Sequence, residues 1–526
     1  MSTQPKITRF KQNVLSKYQM YNSIFMTLPF DTITKTGVLL PLFFETCQKG
    51  FSKNQTPTAI VESFFKKYQA RRSPKSQINL LFRFIQYIER QVVLFDAIED
   101  AAFPVVNNMD GIGTLRSLKE TASAGNKLEL LKKYLEEFKV RIVLTAHPTQ
   151  FYPGSVLGII TDLTEAIKEN NLTRIHELLA QLGKTPFFKH KKPTPYDEAV
   201  SLIWYLENVF YKSFGTVYDY IQQNIFEGEH IKNDIINIGF WPGGDRDGNP
   251  FVTPEITLKV ASRLRETIIK NYYRDLRQLK RKVSFAGVEE RVTELEAEMY
   301  KMITNKKTYL TLDHLVSELK QIKAEIIQKH QSLYAPEVNS LLNKIHLFGF
   351  HFSSLDIRQD SRAHEAVFND MVTVLIASGS SIFPANYHNL SEAKQIAILS
   401  KIEGRLDMSL ITDKETLKAL KTMAAIKTIQ QTNGEKAANR YIISNNQTTL
   451  NVMQLYAMLK LVAFEDELTV DIAPLFETIT DLQNAPSVME ELYTNSNYAA
   501  HLKARGNRQT IMLGFSDGTK DGGYLM

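Results

Sequence analysis

Six short apolar runs, each ending in polar or glycine-rich residues and each separated from the next by a long helical pattern, constrain this chain more than any other feature. Residues 141–150 read RIVLTAHPTQ, 235–250 IINIGFWPGGDRDGNP, 346–362 HLFGFHFSSLDIRQDSR, 440–449 RYIISNNQTT, 468–484 LTVDIAPLFETITDLQN and 511–523 IMLGFSDGTKDGG. A short apolar run bounded by turn residues reads as a buried strand. Parallel strands joined by helices, with reactive groups at the strand carboxyl ends, are the arrangement of a (β/α)8 barrel of the TIM type. The expected fold is therefore mostly α with an α/β barrel, carrying many extra helices and about six of the eight strands. Residues 1–139 read as an amino-terminal helical region. Residues 140–526 read as the partial barrel, with helical insertions at roughly 160–230 and 254–340.

Bulk properties narrow the class. Hydrophobic content of 43% and charged content of 23% describe an ordinary globular protein. The net charge of +6 on 526 residues is mild. It permits anionic ligands without demanding nucleic acid, and a pI of 8.9 is the sole argument for a nucleic-acid partner. Cys47 is the only cysteine, which excludes an internal disulfide and a cysteine zinc site. Together with the lack of a signal-peptide pattern, it leads to a cytoplasmic expectation. No apolar run approaches membrane-spanning length, so no membrane partner is expected.

Along the chain, Leu81, Ile85, Ile88, Val92 and Phe95 follow helical spacing, and Pro104 is expected to end that helix. His147 precedes Pro148 at a strand end, which holds its backbone extended. It fits a packed or surface histidine as well as a functional one. In the 243–250 loop, GGDRDGNP, a calcium loop is rejected because the glycine and the closing glutamate fall in the wrong places. The loop reads instead as a rigid turn around an arginine anion clamp, Arg246. Asp356 and Arg358 share one strand face, with Arg358 a candidate for bidentate phosphate or carboxylate binding; a purely structural Asp356–Arg358 pair is the alternative. Glu477 and Asp517 stand at the ends of successive strands, where two carboxylates with waters and substrate can hold Mg²⁺ or Mn²⁺. Lys520 can hold an anion. Taken alone, 516–523 also fits a polar hairpin with solvated charges.

The ordered set TAHPT, GGDRDGNP, LDIRQDS, PLFET and GFSDGTKDGG resembles phosphoenolpyruvate carboxylase, from about Phe95 to the last residue. The resemblance implies a carbon–carbon lyase that joins phosphoenolpyruvate and bicarbonate into oxaloacetate and phosphate, with Mg²⁺ or Mn²⁺. It implies a role in anaplerotic carbon dioxide fixation feeding the tricarboxylic acid cycle, in an allosteric enzyme that is typically a homotetramer. It implies His147 and Lys520 as the catalytic pair and Glu477 and Asp517 as metal ligands. Arg358 matches the phosphate-binding arginine, and Trp241, Leu475 and Met512 the apolar wall around the substrate methylene. Gln150, Pro153, Gly154, Phe515, Gly518 and the SNNQTT tip depart from the family pattern. The family's later glycine- and arginine-rich loop and its inhibitor site have no counterpart. The expectation is an amino-terminal portion that lacks a carboxyl-terminal half or partner chain and is inactive alone. Two alternatives stand beside it: another Mg²⁺-dependent phosphoenolpyruvate barrel, and a non-catalytic regulatory or assembly module that retains a metal or anion site.

Overall fold

The computed structural model describes residues 5–28, 36–109, 111–145, 152, 154–187, 193–304 and 306–525. The chain is mostly helical and divides into two compact units, 1–121 with 148–192 and 122–147 with 193–526. The first unit is all helix. Its spine is the 33-residue helix Pro74–Val106, whose Val93, Leu94, Ala97 and Ile98 share a core with Ile159, Leu163, Ala166 and Ile167 of helix Gly154–Lys168. The Arg90 guanidinium donates to the carbonyls of Leu182 (3.1 Å) and Thr185 (2.8 Å), so a buried cation caps the carboxyl end of helix Leu172–Lys184. Sequence reading had grouped those two helices with the barrel insertions. Pro104 does not end the long helix, which runs on to Val106. The Val106 carbonyl accepts from the Arg9 guanidinium, so the last turn is closed from outside.

The second unit holds the strands: β1 (Val140–Leu144), β2 (Ile236–Phe240), β3 (Ser354–Leu355), β4 (Ile357–Asp360), β5 (Arg440–Ser444), β6 (Asp471–Phe476) and β7 (Met512–Leu513). Every pairing is parallel, in the orders β1-β2-β3 and β4-β5-β6-β7. β3 and β4 are one extended segment interrupted at Asp356. Its first half pairs with β2 and its second half with β5, so the two sheets follow one another without a break in strand order. The third apolar run is thus shorter as a strand than 346–362. His346–Phe348 belong to helix Ala335–Phe348, and the turn after it uses Gly349 at φ +48°. A short apolar run fits a buried helix end as well as a strand.

Helices start almost at once after the strands because the turn residues are caps. Asp360 caps helix Ser361–Ala377. Thr448 with Asn451 and Thr478 with Asp481 form reciprocal capping boxes for helices Thr449–Val462 and Ile479–Thr494. Thr253 and Pro254 open helix Pro254–Lys280 in the same way. Leu315, Leu319, Ile322 and Ile326 form a buried stripe on helix Leu312–Lys329. Among the described residues, no helix is long and apolar enough to cross a membrane.

Candidate active site at the carboxyl ends of the strands

Alternation along the strands decides which side chains meet. Ala473 and Leu475 of β6 pack with Ile442 of β5, and Trp241 and Met512 pack against them. Leu475 and Met512 are register partners. Trp241, Leu475 and Met512 therefore form one apolar cluster, and Glu477 lies two residues beyond Leu475 on the same face.

The chain just after β7 passes directly against Glu477. A Cβ on Gly514 would sit 3.1 Å from Glu477 Cα and 3.3 Å from its Cγ, so only glycine makes that approach freely. Residues 515–522, expected as a turn, form helix Phe515–Gly522. This helix carries Asp517 in its first turn and Lys520 in its last, joined at 3.4 Å. The Asp521 carboxylate also accepts from the Ile479 backbone N–H, tying the helix to the next one. A Cβ on Gly518 would meet only the Glu477 carbonyl oxygen, at 3.5 Å, so space does not dictate that glycine.

Glu477 is raised above the usual carboxylate range, first by burial and then by the Asp517 and Asp247 carboxylates. The Asn445 backbone N–H and Arg358 oppose the rise. Asn445, at φ +52°, belongs to the divergent SNNQTT tip, which nonetheless delivers a backbone donor to the carboxylate. Among the described residues, no three His, Cys, Asp or Glu side chains stand close enough to ligate one ion.

Arg358 sits over Trp241, its guanidinium carbon 4.6 Å from the ring centre. Its Nε donates to Asp245 at 2.8 Å, and its Nη2 lies 3.4 Å from Asp247. Sequence reading missed both acids, although their alternation around Arg246 is the signal that places them on one side. Arg246 itself is not brought to this group. It is buried, with Nη1 making no hydrogen bond to a described residue, and its charge acts on His364 and Tyr441 instead. Asp356 does not pair with Arg358 either. Its carboxylate takes Arg141 Nη2 at 2.6 Å and Trp241 Nε1 at 3.2 Å. His147, Gln150 and Pro153 lie outside the described residues.

These features define an α/β chain whose carboxylates, arginine and apolar wall gather at the carboxyl ends of consecutive parallel strands. The family model for phosphoenolpyruvate carboxylase matches residues 113–303 and 285–526, and the chain belongs to that family. The phosphoenolpyruvate carboxylase of Nitrosomonas eutropha is 28% identical over 487 residues, which take in 79% of this chain and 51% of that protein. That of Nitrosomonas europaea is 27% identical with the same shares, and that of Shewanella loihica 28% over 440 residues, with shares of 74% and 48%. The chain spans about half the length of the curated relatives it matches.

Proposed function

We propose that this chain carries the phosphoenolpyruvate and metal half of a phosphoenolpyruvate carboxylase site. The observation that carries the proposal is the convergence of Glu477, Asp517 and Arg358 beside the Trp241–Leu475–Met512 cluster, in a chain of that family. Arg358 would receive the substrate phosphoryl group, and the apolar cluster would hold its methylene. Glu477 and Asp517 would hold Mg²⁺ or Mn²⁺. Their mutual repulsion is what a cation relieves, and the bound ion would offset negative charge developing on the enol oxygen.

In the reaction proposed, a bicarbonate oxygen attacks phosphorus and the phosphorus–enol oxygen bond breaks, giving carboxyphosphate and an enolate. Carboxyphosphate releases phosphate and CO₂, and the enolate carbon bonds to CO₂ to form oxaloacetate. The enolate must not meet water first, which is the service of a dry apolar wall. Lys520 would steady developing anionic charge, and His147 would carry the proton of the carboxyphosphate step.

The strand order would continue into a closed eight-stranded barrel only with two further strands, and the full site with the remaining half of the family's length. This polypeptide alone is therefore expected to bind but not to turn over. Calorimetric titration with phosphoenolpyruvate and Mn²⁺ tests the binding: Glu477→Ala or Asp517→Ala should remove the Mn²⁺-dependent heat. Unchanged heats in both variants would refute the metal assignment. Oxaloacetate formed by this chain alone would refute the inactivity.

A further inference from the structure

We infer that Asp245 and Asp247 act on Arg358 in opposite senses. Asp245 is a permanent support that sets the direction of the guanidinium, and Asp247 is a displaceable counter-charge standing where a ligand oxyanion arrives. The inference rests on the proposed role of Arg358 as the phosphoryl-binding arginine.

Asp245 is held on every side. Its backbone N–H bonds to the Trp241 carbonyl at 2.9 Å, and it forms a parallel bridge with Arg358. Around it, the Arg358 N–H reaches the Gly244 carbonyl at 3.1 Å and the Arg246 N–H reaches the Arg358 carbonyl at 2.9 Å. Gly244 permits this closeness, since a Cβ there would lie 2.1 Å from the Asp356 carbonyl oxygen. The loop is thus stitched to β4, and the Asp245 carboxylate meets Nε at a full charge-assisted distance, 2.8 Å. Asp247 is held less. It stands 3.4 Å from Nη2 and is the more exposed of the two carboxylates, at 26% against 20%.

Nε and Nη2 share one edge of the planar guanidinium, so both acids crowd that edge while the Trp241 ring packs against the group. Nη1 makes no hydrogen bond to a described residue. An oxyanion binding two-pronged takes the Nη1–Nη2 edge and meets Asp247 there. Asp247 then repels the newcomer, and repels a phosphoryl dianion more strongly than a singly charged carboxylate, so its presence lowers phosphate affinity the more. Asp245, bound at Nε and off the Nη1–Nη2 edge, only steadies the receptor.

The test uses the full chain in a Trp204→Phe background, where Trp241 becomes the sole tryptophan of the two present. Phosphoenolpyruvate, inorganic phosphate and acetate are titrated by calorimetry at fixed ionic strength, and Trp241 emission is read without ligand. Asp245→Asn should weaken phosphate binding about tenfold and shift the emission as Arg358 leaves the ring. Asp247→Asn should tighten phosphate binding about threefold, tighten acetate binding less so that the gap widens, and leave the emission in place. Effects of the same sign in both variants overturn the division of roles, while Arg358→Lys still weakens phosphoenolpyruvate binding. Should Arg358→Lys leave that affinity unchanged, the substrate role of Arg358 itself falls. If Asp245→Asn does not fold, weaker phosphate binding by Asp247→Asn overturns the inference by itself.

Discussion

At the scale of single residues, the decisive group is Asp356, which reading by alternation set beside Arg358 on one face. A shared face does not choose the partner. Burial does, because an almost wholly enclosed carboxylate takes the cation that can reach it with the best geometry, and that is Arg141. Burial raises Asp356 above the carboxylate range, with Arg141, Arg440 and Trp241 pulling it back. Gly239 is part of the same arrangement, since a Cβ there would stand 2.9 Å from the Arg141 guanidinium. Removing one charge of such a pair leaves the other stranded. Asp356→Asn should therefore destabilise the second unit by about 3–5 kcal/mol, and Arg141→Met added to it should restore much of the loss. Urea midpoints of the two variants check this; a double variant no more stable than the single one contradicts it. The same logic explains Arg246. The acids on either side of it face Arg358, so the intervening arginine points away, and no composition rule reveals which of three adjacent charges a strand will select.

At the scale of elements, what sequence conveys well is a buried run followed by caps, and each of the six runs contains a strand segment. What it conveys poorly is a stretch whose intrinsic preference tertiary contacts override. Residues 515–522 hold two glycines and two aspartates, a turn by propensity, yet Gly514 bonding to Phe476 and Asp521 capping Ile479 hold a helix there. The helix-to-sheet contact behind β5 carries a testable titration. His364 of helix Ser361–Ala377 is buried, with Nε2 3.0 Å from the Tyr441 hydroxyl. Burial, helped by Arg246 and opposed by Asp360, lowers its pKa to about 3. His351 is likewise lowered to about 3, chiefly by burial. The unfolded chain binds these protons from about pH 6.5 downward and the folded one only near pH 3. The neutral forms thus contribute fully above pH 6.5, and stability falls as pH drops through that window. The slope should approach about 1.4 kcal/mol per pH unit for each histidine. Chemical denaturation at pH 7, 6 and 5 measures it. His364→Gln, provided it folds, should reduce the slope by about 1.4 kcal/mol per pH unit; an undiminished slope would show that His364 is not one of its sources.

At the scale of the whole molecule, the second unit is a parallel sheet whose outer edges are β1 and β7, neither with a further strand partner among the described residues. Parallel sheets are normally covered on both faces and closed or shielded at their edges. Here Val140, Ile142 and Val143 of β1 are each at least 36% exposed, and Leu513 of β7 is 67% exposed. Phe515, just beyond it, is 78% exposed. The unpaired backbone groups and apolar side chains of an edge together template the addition of another strand, whether from a completing segment or from a second copy. For this polypeptide on its own, the second copy is the partner at hand, so it should associate as its concentration rises. Ile142→Lys with Leu513→Lys places a charge on each edge, where desolvating it opposes pairing. Because both positions face solvent, the folding free energy should change by less than about 0.5 kcal/mol per site. Sedimentation velocity across a hundredfold concentration range separates the outcomes. Association by the parent chain that the double variant lacks supports open, adhesive edges, and a parent chain monomeric throughout refutes them. Association that survives both lysines would move the sticky surface elsewhere, away from the strands on which the proposed site is built.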